Sequence, residues 1–147
     1  MITRQAIIGS RGEDIATQWL RERGYYIVER NWRAGRYEID IIAEHYDTIH
    51  FVEVKTRRKG GWQSAYDSID EQKIRTLRRG ATAYRSLHRL RHNIQFDLIA
   101  IVTDENDEYE IDYVENILYF IEGNFSLAST LPSALRSSAS HPSSILI

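Results

Sequence analysis

A chain of 147 residues is long enough for one domain with its own core, and the absence of cysteine excludes disulfide frameworks and thiolate metal sites. Its apolar content of 42% and charged content of 27% are ordinary for a globular domain, but the net charge of -2 hides a segregation. From Lys55 to His92 eleven Lys or Arg stand against three acids, whereas no Lys or Arg occurs between Arg91 and Arg136, so a basic segment is available to a polyanion.

In chain order, Ser10-Arg11-Gly12-Glu13 reads as a capping box that opens a first helix. Ile15, Ala16, Trp19 and Leu20 follow at helical spacing, and Gly24 ends the helix. Tyr25 to Arg33 is strand-like. Arg36 to Ala43 and Ile49 to Thr56 form a predicted β-hairpin, with Glu44 to Thr48 as its turn. A basic, glycine-containing loop from Arg57 to Trp62 precedes a second helix over 69–87, whose apolar stripe is Ile74, Leu77, Ala81 and Tyr84. Ile94 to Val102 is a nearly continuous apolar run, expected as a strand covered on both faces. Tyr109 to Val114 reads as another strand, and Ile117 to Ile121 fits helix or strand. The order predicts an α/β domain over 1–122, a mixed sheet flanked by helices. Residues 123–147 hold eight serines and both prolines and read as a flexible tail. No apolar run is long enough for a signal peptide or a bilayer span, so the expected compartment is the cytoplasm and no membrane partner is expected.

The chemistry is concentrated on the hairpin. Glu38-Ile39-Asp40 is followed, thirteen residues after the aspartate, by Glu53-Val54-Lys55. Strand alternation puts Glu38 with Asp40, and Glu53 with Lys55; a turn centred on Tyr46 and Asp47 sets Asp40 opposite Glu53. Ile39, Ile41, Val52 and Val54 are then expected together on the opposite face. Two adjacent carboxylates repel unless a cation neutralises them, and Asp40 and Glu53 are oxygen ligands suited to Mg²⁺ or Mn²⁺. Lys55 would orient the attacking water or neutralise charge developing on the phosphate. The competing account is a cross-strand ion pair between Lys55 and Glu53 or Glu38 on an exposed face, which the apolar flanks Ile41-Ile42 and Phe51-Val52 disfavour.

Gly9-Ser10-Arg11-Gly12-Glu13, Glu38-Ile39-Asp40-Ile41-Ile42-Ala43 and Phe51-Val52-Glu53-Val54-Lys55-Thr56-Arg57, taken in order, resemble the YraN-like bacterial family. That family is similar to archaeal Holliday-junction resolvases of the restriction-endonuclease-like, PD-(D/E)xK superfamily. The resemblance runs from about Ile8 to about Phe125. It implies a restriction-endonuclease-like fold, Asp40 and Glu53 as metal ligands, Lys55 as the catalytic lysine and Glu13 as an additional acid. For Glu13 the cap alone is an equally good account. Tyr37 stands where the family usually has glycine, and Gln95 where arginine is common. Glu38 is expected to partner Lys55 or a neighbouring arginine, and Asp97 to contact a helix or an arginine without a catalytic role.

Arg57, Lys59, Lys73, Arg75 and Arg79 are the candidate nucleic-acid contacts. No acid occurs from Gln72 to Phe96, unlike an ordinary solvated helix, and phosphate contacts need such a basic surface. Lys59-Gly60-Gly61-Trp62 reads either as a clamp with Trp62 stacking on a base or as a loop whose tryptophan enters the core. The expected function is a metal-dependent endonuclease acting on structured or branched DNA, the branched character resting on the resemblance alone. The alternative is a non-catalytic nucleic-acid- or partner-binding module. An RNA substrate fits the same features, and because junction-resolving relatives work as dimers the resemblance admits a homodimer.

Overall fold

The computed structural model describes residues 4–59, 69–118 and 141–142. Helix α1 (Arg4–Glu22) is followed by a meander of β1 (Tyr26–Ala34), β2 (Tyr37–His45) and β3 (Thr48–Arg58). Helix α2 (Glu71–His88) crosses to β4 (Asn93–Thr103), then come β5 (Tyr109–Val114) and β6 (His141–Pro142). The strands form one sheet in sequence order, antiparallel except for the parallel β3–β4 pair that the α2 crossover produces. This is an α/β fold with a mixed sheet. Among the described residues no helix is long and apolar enough to cross a membrane.

Local chemistry explains most boundaries. Gly24, at φ 85°, ends α1 in a left-handed turn in which the Tyr25 amide returns to the Leu20 carbonyl. Tyr46, at φ 53°, makes the two-residue turn of the hairpin, and the pairs His45↔Thr48 to Ile41↔Val52 follow. Asp70 caps α2 by accepting the Lys73 amide at 2.8 Å. Two apolar clusters cover the two faces of the sheet. Ile74, Leu77, Ala81 and Tyr84 of α2 pack with Trp32, Ile39, Ile42, Phe51 and Leu98. Ala16, Trp19 and Leu20 of α1 pack with Ile41, Ala43, Val52, Ile99 and Ile111. β4 contributes to both, which is why its sequence is apolar without alternation.

Three expectations change. Helix α1 starts at Arg4, so Ser10-Arg11-Gly12-Glu13 is a helix interior and not a capping box. Gly12 is there because α1 presses on β3: a Cβ at this position would collide with Thr56 Oγ1. β3 runs on through Arg57 and Arg58, since its parallel ladder with β4 continues to Arg58↔Thr103, so the basic loop begins later than the sequence suggests. Ile39 and Ile41 lie in different clusters, on opposite faces. Of the serine-rich segment, His141–Pro142 pairs with β5; the rest of 123–147, like Gly60–Trp62 and residues 119–121, lies outside the described residues.

The Gly12 contact generates a prediction. Gly12→Ala gains intrinsic helix propensity, worth about 1 kcal/mol, yet should lower stability, because overpacking costs about 1–3 kcal/mol. Adding Thr56→Ala should restore much of the loss in denaturant unfolding. A stabilised single variant would show that α1 can lift away from β3 without cost.

Candidate active site

The site begins where the hairpin comes apart. β2 and β3 pair no further than Ile41↔Val52, although β3 stays paired with β4 to Arg58↔Thr103 and β2 with β1 to Ala34↔Tyr37. Continued register would place Asp40 opposite Glu53. Instead Asp40 Oδ2 accepts the Val54 amide at 2.9 Å, a side chain taking the place of a main-chain acceptor. The alternation of β2 breaks at the same residue, since Ile39 and Ile41 pack on opposite faces. Asn31, between the pairs Arg30↔Ile41 and Trp32↔Ile39, has φ 51°, a conformation that asparagine tolerates. Asp40 and Glu53 thus border the same opening, just beyond the last pair of the β2–β3 ladder.

A cleft of about 530 Å³ opens there. Glu13 of α1 borders it, with Glu38 and Asp40 of β2, residues 53–58 of β3, and Lys73 of α2. The described residues thus bring Glu13, Asp40, Glu53, Lys55, Arg57 and Lys73 to one place, while Arg75 and Arg79 lie exposed along α2 outside the cleft lining. Lys59 is exposed where β3 ends, its amide bonded to the Thr103 carbonyl at 2.7 Å. Arg57 is partly buried, its guanidinium donating to the Thr56 carbonyl at 2.9 Å.

Glu53 is the most enclosed of these groups, with 3% of its side chain exposed. Its Oε1 receives both ammonium groups, Lys73 Nζ at 3.0 Å and Lys55 Nζ at 3.2 Å. Its Oε2 is buried and has no hydrogen-bond partner among the described residues. Burial works against the charge of Lys73, but Glu53, Asp40 and Glu38 outweigh it and raise the Lys73 pKa. Burial pushes the Asp40 carboxyl up to about 8, with the charges of Glu53 and then Glu13 adding to it, against the Val54 amide and Lys73. Burial also raises Glu13, which hydrogen-bonds Asn31 and lies 3.8 Å from Arg30. With the capping box gone, Glu13 is a half-buried acid on the cleft wall. Glu38 pairs with Arg33 at 3.3 Å, the arginine partner foreseen for it.

Asp97 stands apart. It is fully buried and bonds to His50 Nδ1 and the Tyr113 hydroxyl at 2.6 Å each, and to Gln95 Nε2 and the Asn116 amide at 2.9 Å each. No arginine is needed: Gln95, where the resemblance suggested arginine, supplies one of the four contacts that tie β3, β4 and β5 together at Asp97.

Sequence reasoning missed Asn31 altogether and placed Lys73 on an outer phosphate-binding face. A lysine three residues after a capping Asp70 could have been recognised as sitting at a helix N-terminus, but which strand that terminus overhangs was not readable.

Residues 12–101 match the model of the Uncharacterised protein family UPF0102. The chain belongs to this family. A UPF0102 protein of Bacteroides thetaiotaomicron is 36% identical over 112 residues, covering 76% of this chain and 92% of the relative. One from Syntrophomonas wolfei is 37% identical over 110 residues, covering 74% and 95%, and one from Rhodococcus jostii is 37% identical over 110 residues, covering 74% and 93%. The part of the chain matched by the UPF0102 model contains every residue of the cleft from Glu13 to Lys73.

The raised Asp40 pKa fixes a pH dependence. The folded state holds this proton more tightly than the unfolded chain, whose carboxyl has the ordinary value of 3.8. Stability from this group is therefore present at low pH and is lost as pH rises through about 8. In metal-free protein, Asp40→Asn should melt progressively higher than wild type as pH is raised from about 5 to about 8. A gap independent of pH would remove Asp40 as the titrating group.

Proposed function

We propose that this UPF0102 chain is a divalent-metal-dependent nuclease of the PD-(D/E)xK type on a restriction-endonuclease-like fold. The observation that carries the reading is the buried Glu53 Oε2, left without a hydrogen-bond partner among the described residues, in a cleft shared with Asp40. A buried carboxylate oxygen is costly to leave unmatched, and Asp40 is destabilised as an anion by the same neighbourhood. A hard cation relieves both. No group of three or more acidic, histidine or cysteine side chains capable of holding a metal occurs among the described residues. The proposed site is a pair of carboxylates, and Mg²⁺ is commonly held by one or two, with water and substrate oxygens completing its shell. Glu53 and Asp40 would hold it, and bound there it supplies Lewis acidity and lowers the pKa of a coordinated water.

The chain's own groups do the rest. Asp40 is pre-positioned by the Val54 amide, which holds its carboxylate beside the gap between the strands. Lys55 neutralises Glu53 at rest and carries a positive charge to the phosphate. Arg57 and Arg58 line the cleft, Lys59 follows exposed at the end of β3, and Arg75 and Arg79 extend the positive surface along α2, so phosphate binding is sequence-independent and salt-sensitive. DNA of branched or otherwise structured form is the proposed substrate, on the strength of the likeness to junction resolvases.

One observation favours a second reading, a binding module without catalysis: two lysines already satisfy Glu53 Oε1 without a metal. Cleavage of duplex, flapped, four-way and single-stranded DNA, and of RNA, measured with Mg²⁺ and Mn²⁺, separates the two. The nuclease reading predicts metal-dependent cleavage, abolished by Asp40→Asn and by Glu53→Gln. Lys55→Ala should reduce it on the order of 10²-fold or more. The apparent Mg²⁺ affinity should rise with pH up to about 8, since binding expels the Asp40 proton. Nucleic-acid binding with neither cleavage nor divalent-ion binding would establish the module instead.

A further inference from the structure

Glu53 needs one counter-ion and has two. Lys55 comes from its own strand, two residues on, and is 22% exposed at the side chain; Lys73 arrives from the first turn of α2 and is 31% exposed. Both nitrogens converge on the same oxygen, Oε1, and both residues line the cleft. Lys73 is held there from two sides. Asp70 fixes its main chain at the helix start, and Gly80 lets α2 settle against β2, where an added Cβ would come within 3.3 Å of Ile39. A solvated lysine elsewhere on the helix would need no such placement.

We propose that Lys73 is a second catalytic lysine, one that contacts the scissile phosphate beside Lys55 and does not merely add to the outer phosphate-binding surface. This rests on the nuclease reading above. With a divalent cation on Asp40 and Glu53, the charge of the two carboxylates is matched, and both ammonium groups are released from balancing Glu53. In hydrolysis the water oxygen bonds to phosphorus and the P–O ester bond breaks. The departing oxygen leaves with one water proton, and the hydroxyl stays on phosphorus. Between reactant and product the phosphoryl group passes from one negative charge toward two as hydroxide character is delivered to it. Two lysines match that doubled charge, whereas one leaves it half compensated. Counting the cation, Asp40, Glu53 and the two lysines, the charge then balances at the transition state and is over-positive toward the ground state, the sense needed for catalysis.

The test uses the full chain with Lys73→Met and Lys73→Arg, measuring Mg²⁺ binding, binding of inorganic phosphate in the presence of Mg²⁺, and cleavage. Lys73→Met should bind Mg²⁺ as well as wild type or more tightly, because a repelling charge is gone. It should bind phosphate at least about tenfold more weakly, and cleave at saturating substrate on the order of 10²-fold more slowly. Lys73→Arg, which keeps the charge, should recover part of both losses. If Lys73→Met raises KM with kcat unchanged, Lys73 belongs to the outer surface and the proposal is wrong. If it loses Mg²⁺ binding and Lys73→Arg restores it, Lys73 only props Glu53 and the proposal is again wrong, though the nuclease reading stands. If wild type itself binds no Mg²⁺ and cleaves nothing, the nuclease reading fails and takes this proposal with it.

Discussion

The hydrogen bond from the Val54 amide to Asp40 Oδ2 is the hinge of the whole arrangement. Backbone amides inside a sheet must find an acceptor. Val54 loses its β2 acceptor because the hairpin parts beyond Ile41↔Val52, and a side chain from the departing strand replaces it. One bond thus does two things: it lets the sheet open without leaving an unpaired donor, and it locks the Asp40 carboxylate in the gap. The close seating of α1 at Gly12 and of α2 at Gly80 then brings Glu13 and Lys73 to the two sides of the same opening.

What the opening contains is electrostatically poor for a resting protein. A buried carboxylate with both cations on one oxygen, facing an aspartate pushed up to about 8, is a local departure from the well-matched pairing seen around Asp97. Asp97 is more deeply buried still, yet four donors satisfy it. The same chain therefore builds a complete polar network around Asp97 and an incomplete one around Glu53, one register step away on the neighbouring strand. The proposed function draws on these unmatched groups: on that reading, stability is exchanged for readiness to bind a cation and a phosphate.

Much of this was legible because the hairpin is local. Tyr46 and Asp47 set the register, and that register points Asp40 toward Glu53 even though the ladder itself ends at Ile41↔Val52. The order of elements and the doubly covered β4 also follow from short-range patterns. The rest depended on contacts distant in sequence. Gly12 looks like a helix-start residue until Thr56 is known to lie against it. Strict alternation put Ile39 and Ile41 on one face, yet they pack on opposite faces on either side of Asp40, with Asn31 of the neighbouring strand at positive φ beside them. Lys73 reads as one basic residue among many, and only the packing of α2 on β2 gives it Glu53 as a partner.

The central claim is that Asp40 and Glu53 are a cation site kept open by the parted strands. The most direct measurement is an anomalous difference map from crystals soaked in Mn²⁺ at a pH above about 8, where Asp40 is ionised. A single strong peak bonded to one oxygen each of Asp40 and Glu53, the latter through Oε2, with the Asp40–Val54 bond intact, is the predicted result. An empty cleft at saturating Mn²⁺, with both lysines still on Glu53, would contradict the account.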